Sequence, residues 1–435
     1  MSTAPSAPLF GQPRGLAVLF LTQMWETFSY YGMRALLVYY MTQQLLFGQQ
    51  KASLVYGVYT AMVFFTPILG GILSDRWLGR RRAVLIGGSV MALGHFLLAS
   101  ETLFFPALAC IALGNGLFLP SLPAQIDALY PPGDSRRFSA YNVYYLGINL
   151  GGLLAPLVCG ALGEIYGWHY GFGAAGLGML AGLAIYVAGG RHLPDAMPVA
   201  VAPVVPLATA DGDLALRAKL RLLLGVGLCV VLFRAAYEQV GNTIALWAAS
   251  GIDRQVADSQ IPMAWFQALN PLFVILFTPL LLAWWATREK RGQVARPVRR
   301  MAAGALGVAL AYALLAAVAG SAQGSTHWTW LVGFFLLLTI GELFILPVGL
   351  GLFARLAPDR HRATTVAAWF FAAFGGNLLA GVLGMAWTPM GPAGFFTLVA
   401  AVAGLSALLL RCLDPAVERV ARHEPGLSGA QAVHP

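Results

Sequence analysis

Charge is scarce in this sequence. Asp, Glu, Lys and Arg make up 10% of its 435 residues while 58% are hydrophobic, at a mean hydropathy of +0.71; soluble domains carry roughly 25% charged residues. A chain this long would form two or three domains in water, but this one lacks the polar surface to cover them. Cysteine is nearly absent as well. Cys110, Cys159, Cys229 and Cys412 lie scattered in apolar stretches at no metal-ligand spacing, which excludes a disulfide scaffold or a zinc site and reads them as small hydrophobes. Neither HExxH nor GxSxG occurs, and the histidines are dispersed; a membrane-embedded enzyme would need such a constellation. The short alternating segments of a β-barrel are also missing. The opening "MSTAPSAPLFGQPRG" has no basic stretch ahead of a short apolar core, so no cleaved signal peptide is expected.

What is present is a succession of apolar runs long enough to cross a bilayer, which takes roughly 20 residues. They lie near residues 15–43, 52–74, 83–101, 104–130, 139–163, 170–189, 220–249, 260–286, 301–321, 328–354, 364–388 and 392–411, which predicts an all-α membrane protein of twelve transmembrane helices. The net charge of +9 has a topological explanation. Basic residues gather after every second helix, as at Arg76 and Arg80 to Arg82, at Arg136 and Arg137, and from Arg288 to Arg300. The alternate loops hold only Lys51 and Arg254. Positive residues mark the cytoplasmic face, so both termini are expected in the cytoplasm, and nucleic-acid binding is not expected. A Pro-rich stretch after the sixth helix, "HLPDAMPVAVAPVVPLATADGDL", cannot be helical. It divides the chain into a six-helix bundle at 14–190, a cytoplasmic linker at 191–218, a second bundle at 219–412 and a tail at 413–435.

Against this background the buried charges stand out. Glu26, Arg34, Arg234, Glu238 and Glu342 each fall inside an apolar segment, where a charge at a helix centre costs roughly 2.5–3.5 kcal/mol on insertion scales. Two paired six-helix halves point to a transporter whose substrate site lies near the bilayer midplane. A receptor or scaffold has no need of so many charges there.

Motifs narrow the family. "GGILSDRWLGRRRAVLIGG" at 70–88 resembles the loop motif of the major facilitator superfamily, and implies a cytoplasmic gate contact among Asp75, Arg76 and Arg80. "ETFSYYGMRALL" resembles the first-helix signature of the proton-dependent oligopeptide transporters, which reads Glu-x-x-Glu-Arg-Phe-x-Tyr-Tyr-Gly. "FSAYNVYYLGINLGGLLAPLVCG", "AAYEQVGNTIALWA", "FQALNPLFVI", "GELFILPVGLGLFARLAPDR" and "AAWFFAAFGGNLLAG" follow in the family's order. The resemblance implies a major facilitator fold and a proton-coupled symporter that imports di- and tripeptides by alternating access. It further implies protons as coupling ion, no cofactor or metal, function as a monomer, and a bacterial inner membrane. The short linker leaves no room for the extra helix pair that bacterial members often carry. An exporter, or an importer of another small amphipathic solute, is the alternative.

The resemblance also implies roles. A peptide stripped of its side chains is an amine and a carboxylate separated by amides. Arg34 suits the carboxylate because its fork donates two charge-assisted hydrogen bonds, and Glu342 suits the amine. Asn149 and Asn270 each offer a donor and an acceptor. Tyr30, Tyr31, Phe64, Trp369 and Phe370 are candidates for side-chain pockets. Phe64 stands at a family tyrosine position and Leu346 at a serine position, which makes the site less polar than usual.

Departures from the pattern matter more. Gln23 replaces the first glutamate, Thr27 the arginine, and Leu119 the helix-4 lysine. One carboxylate and two cations have gone together, which suggests a rewired charge network, since losing one partner alone strands a buried charge. Glu26 is the surviving acid and the expected main proton carrier. Arg234 and Glu238, four residues apart, are expected to pair on one helical face, with Arg234 supplying the lost positive charge and alternating between Glu238 and Glu26. Asp127 is expected to pair with its loop.

Overall fold

The computed structural model describes residues 11–131, 134, 136–194, 213–293, 296–322, 324–356 and 362–422. Most of the expected linker and the end of the tail lie outside the described residues. The chain is an all-α membrane protein. Its long helices are α1 (Arg14–Tyr39), α2 (Gln49–Leu73), α3 (Arg80–Leu97), α4 (Phe104–Ser121), α5 (Arg136–Ala155) and α6 (Trp168–Ala188). They continue with α7 (Asp213–Tyr237), α8 (Leu269–Lys290), α9 (Pro297–Ser321), α10 (Thr329–Leu356), α11 (Arg362–Gly384) and α12 (Trp387–Arg422). Among the described residues, ten helical stretches are long and apolar enough to cross a membrane. The two that fall short are α1, which carries Glu26 and Arg34, and α3, whose first turn is Arg80, Arg81 and Arg82.

Several helices are not uniform. A π-turn extends α1 over Tyr40–Gln44 and α2 over Ser74–Leu78. Beyond α7 the chain tightens into a 3-10 turn, Glu238–Gly241, then resumes as the short helix Thr243–Ser250. Another 3-10 turn, Met263–Ala268, leads into α8. Such mid-helix changes of pitch re-aim the side chains that follow them.

The chain forms two compact units. One comprises Met1–Ala200 and Val240–Ile275, the other Val201–Gln239 and Leu276–Pro435. The stretch 240–275, part of the second bundle by sequence order, thus packs with the first unit. In the first unit α1 packs on α5 and α6, α2 on α4, and α3 on α4 and α6. One buried cluster gathers Phe28, Met33, Leu36, Tyr39, Phe104 and Phe172, and another Leu19, Met91, Phe118, Met179 and Tyr186. In the second unit α7 packs on α11 and α12, and α9 on α10 and α12. Phe233, Tyr312, Phe334, Phe335 and Phe395 are fully buried there, and the Tyr312 hydroxyl donates to the Ala236 carbonyl at 2.8 Å.

Close helix approach in lipid depends on small residues, because the tails are as apolar as the side chains and give no hydrophobic drive. At Gly70 an added Cβ would stand 2.0 Å from the Gly116 carbonyl oxygen, whereas at Gly71 the nearest atom would be Pro120 Cβ at 3.6 Å. Gly70 therefore sets the α2 to α4 distance and Gly71 does not. Gly70→Ala is expected to destabilise by about 1–3 kcal/mol through forced backbone movement, read as a lower melting temperature of the detergent-solubilised protein. Gly71→Ala should melt with the wild type; equal melting of both variants would remove Gly70 from that role.

Candidate functional site

Helix α1 builds the first unit's polar centre. Glu26, Tyr30 and Arg34 recur every four residues and so share one face, although the surrounding sequence is apolar. Arg34 is buried, and its Nε donates to the Tyr56 hydroxyl on α2 at 2.8 Å. Its guanidinium carbon lies 5.5 Å from the Tyr31 ring centre and 5.7 Å from that of Tyr56, within cation–π range. Tyr30 and Tyr31 meet edge to face at 5.4 Å. Sequence reasoning passed over Tyr56; its signal was the spacing of eight from Phe64, about two helical turns along α2.

Glu26 is 4% exposed. The Gln23 amide donates to its Oε2 at 2.6 Å and to the Thr27 hydroxyl at 3.0 Å, and that hydroxyl donates to the same carboxylate oxygen at 3.3 Å. Tyr144 on α5 donates in turn to the Gln23 side-chain carbonyl. The residues at the two altered signature positions are therefore the acid's hydrogen-bond partners. Neutral donors solvate the carboxylate where the family pattern would place a cation. Tyr144 escaped the sequence reading because a tyrosine in an apolar helix usually packs.

The stretch 240–275 is fastened to α1, α2 and the segment beyond α5 through polar contacts. Ser53 donates to the Asn242 side-chain oxygen at 2.8 Å, Tyr39 to the Ala245 carbonyl at 2.9 Å, and the Gln267 amide to the Ala35 carbonyl at 3.2 Å. Beyond α5, Glu164 accepts the backbone N–H groups of Met263 and Ala264, both at 2.8 Å, and lies 3.9 Å from Arg254.

The other expected residues fall as follows. Asn149 is buried and donates to the Tyr145 carbonyl one turn back on α5 at 2.9 Å, while Asn270 and Phe64 are half-buried. In the second unit Arg234 donates to Glu238 at 2.9 Å, an i to i+4 pair with Glu238 1% exposed. Glu342 and Trp369 are buried there, Trp369 against Phe353 with ring centres 5.3 Å apart, and Phe370 is half-buried. At the α2 to α3 turn, Gly79 takes a positive φ of 74°, and Asp75 approaches Arg80 at 3.9 Å. Arg80 also donates to the Ala124 carbonyl at 2.7 Å, and Arg76 is exposed. Asp127 accepts from Arg137 and Tyr141, both at 2.7 Å. Nearby, hydrogen bonds from the Arg136 guanidinium and backbone hold the Asp134 carboxyl below its ordinary range.

Comparison with known proteins covers nearly the whole chain. The POT family model matches residues 81–204 and 214–389. Peptide transporter YePEPT of Yersinia enterocolitica is 32% identical, over 88% of this chain and 90% of that one. A di-/tripeptide transporter of Lactococcus lactis subsp. cremoris is 30% identical, over 83% and 87%. A crystal structure of peptide transporter POT in complex with sulfate superposes with a TM-score of 0.89 at 30% identity, covering 96% of this chain and 97% of that one. A mutant of the same transporter in complex with alafosfalin gives the same TM-score of 0.89.

The neutral network around Glu26 makes a prediction. Gln23→Leu removes the amide that donates to the Glu26 carboxylate and to Thr27 and accepts from Tyr144, and a hydrogen bond to a charged group contributes roughly 1.5–3 kcal/mol. The melting temperature of the detergent-solubilised protein should therefore fall. An unchanged melting temperature would mean that Gln23 does not hold the acid.

Proposed function

We propose, because the chain belongs to the POT family, that it is a secondary transporter which imports di- and tripeptides together with protons by alternating access. The observation that carries this reading is the burial of Glu26 and Arg34 in the first unit and of Glu238 and Glu342 in the second, each at most 9% exposed. Groups so costly to insert face the bundle interior and mark substrate or ion pathways. Named relatives support the choice of substrate, since they are a peptide transporter and a di-/tripeptide transporter.

In this reading Arg34 takes the peptide carboxylate and Glu342 the amine, while Asn149 and Asn270 take amide groups. Tyr30, Tyr31, Phe64, Trp369 and Phe370 accept variable side chains, which a peptide carrier must hold loosely. Asp75, Arg76 and Arg80 act at the cytoplasmic gate. Glu26 carries the proton: its partners Gln23 and Thr27 are neutral, so protonation breaks no ion pair. Arg234 and Glu238 form a separate charged pair, which takes part in coupling. The protein works as a monomer in an inner membrane, with both termini cytoplasmic, as the distribution of its basic loops favours.

Uptake of labelled dialanine into liposomes under an inward proton gradient tests the reading; no accumulation above the gradient-free level would sink it. Arg34→Ala and Glu342→Gln should each reduce uptake by more than tenfold, because truncating one partner of a buried charge pair costs about 2–5 kcal/mol. Unchanged affinity would remove that residue from the site. Glu26→Gln fixes the neutral form and should abolish proton-driven accumulation while leaving gradient-free peptide exchange. Arg234→Ala should uncouple transport from the gradient, and adding Thr27→Arg should restore part of it. Full accumulation in the Arg234→Ala variant would exclude Arg234 from coupling.

A further inference from the structure

The last residue of the 3-10 turn, Gly241, lies directly on the Arg34–Tyr56 hydrogen bond. A Cβ built on Gly241 would stand 2.1 Å from the Tyr56 hydroxyl oxygen, 2.9 Å from the ring carbon that bears it, and 3.3 Å from Arg34 Nε. Side-chain carbons do not approach other heavy atoms below 3.0 Å, so even alanine would force a displacement. Tyr56 cannot give way cheaply. It is fully buried, its hydroxyl accepts from Arg34 at 2.8 Å, and its ring has no flexible end to bend aside. Nor is the Gly241 backbone loose. Ser53 on α2 holds Asn242 at 2.8 Å, and Tyr39 on α1 holds Ala245 at 2.9 Å. Gly241, Asn242, Ser53 and Tyr56 are all buried.

We propose that Gly241 is a positioning residue for Arg34, and that through Tyr56 it sets the preference of the site for a planar carboxylate over an uncharged C-terminus. The inference rests on the peptide-carboxylate role given to Arg34 above. A guanidinium donates two parallel hydrogen bonds to a carboxylate only when its plane matches that of the acceptor. The Nε edge is the part that Tyr56 grips, and the backbone at Gly241 leaves the phenol a single place to stand. The bare α-carbon thus converts a general attraction for negative charge into recognition of carboxylate geometry. A residue that only packed the helix would contribute to stability and leave this selectivity alone.

The test uses the full-length protein in liposomes and compares dialanine with dialanine amide, which keeps the amine and lacks the carboxylate, as competitors of labelled dialanine counterflow without a proton gradient. Gly241→Ala should weaken dialanine by about tenfold, the scale of losing one well-formed charge-assisted contact, and leave dialanine amide within about twofold. In a Tyr56→Phe background, which removes the oxygen nearest the new methyl, Gly241→Ala should have a much smaller effect on the ratio, as coupled neighbours do. Equal weakening of both ligands, or an unchanged ratio, overturns the proposal and leaves Gly241 as packing. If Gly241→Ala cannot be recovered folded, Tyr56→Phe alone decides: the dialanine to amide ratio must fall, and a wild-type ratio overturns the proposal. Wild-type protein that transports no dialanine defeats the function reading itself, an outcome distinct from a wild type that discriminates beside a variant that discriminates equally.

Discussion

Inside a bilayer no water is at hand to solvate a carboxylate, so Glu26 has to be solvated by the helices around it. That requirement organises the centre of the first unit. Gln23 and Thr27 lie one turn before and one residue after the acid, and both reach the same oxygen. Tyr144 on the neighbouring helix then fixes the amide that does most of the donating. An amide spends one proton on the carboxylate and one on Thr27, and Thr27 spends its own on the carboxylate. The cluster is closed, each donor having an acceptor, which is the condition under which a buried polar network rigidifies its surroundings rather than weakening them.

This arrangement accounts for the presence of Gln23 and Thr27 together in this chain. A buried ion pair stripped of one partner leaves an uncompensated charge and costs about 3–5 kcal/mol, whereas exchanging the set for a neutral one can be close to free. Gln23 alone, beside a retained arginine at position 27, would have left that arginine with one carboxylate instead of two. Thr27 alone, beside a retained glutamate at position 23, would have left two acids with no cation between them. Only the joint change gives a single acid among neutral donors. Positive charge in this region then rests with Arg34, two turns along the same face, where a tyrosine hydroxyl and aromatic rings surround it.

The helical spans were legible because hydropathy is a sum over some twenty residues and tolerates local exceptions. Each predicted span overlaps a helix, including α1 and α3, whose charged residues lower their average. The buried ionisable residues were legible for the same reason inverted: a charge in an apolar run is conspicuous. What periodicity could not show was where a helix changes pitch. "RAAYEQVGN" reads as uninterrupted helix, yet the chain turns 3-10 at Glu238. No Pro or charge run announces that 240–275 packs with the first unit rather than with its sequence neighbours. Tyr56 and Tyr144 were missed because their ring area predicts packing, and the hydroxyl that matters is one atom on an otherwise apolar surface. Asn149 illustrates the converse. Its amide was legible as a polar group in a membrane helix, but one of its donors is spent on the carbonyl of Tyr145 one turn back, a local use that composition does not distinguish from recognition.

The change of pitch after α7 joins these separate observations. Arg234 and Glu238 are stacked one α-helical turn apart, which is what lets them pair. Three residues later, a 3-10 turn has carried the backbone through a full rotation in three residues instead of 3.6, so Gly241 emerges on a face that a continued α-helix would not have presented. The chain passes from one compact unit to the other between Gln239 and Val240, inside that turn. Within the first unit the consequence is steric: Gly241 has less than a methyl group's clearance before it meets Tyr56, and Tyr56 accepts the hydrogen bond of Arg34. The change of pitch therefore brings a bare backbone, and no side chain, against the phenol that holds the arginine.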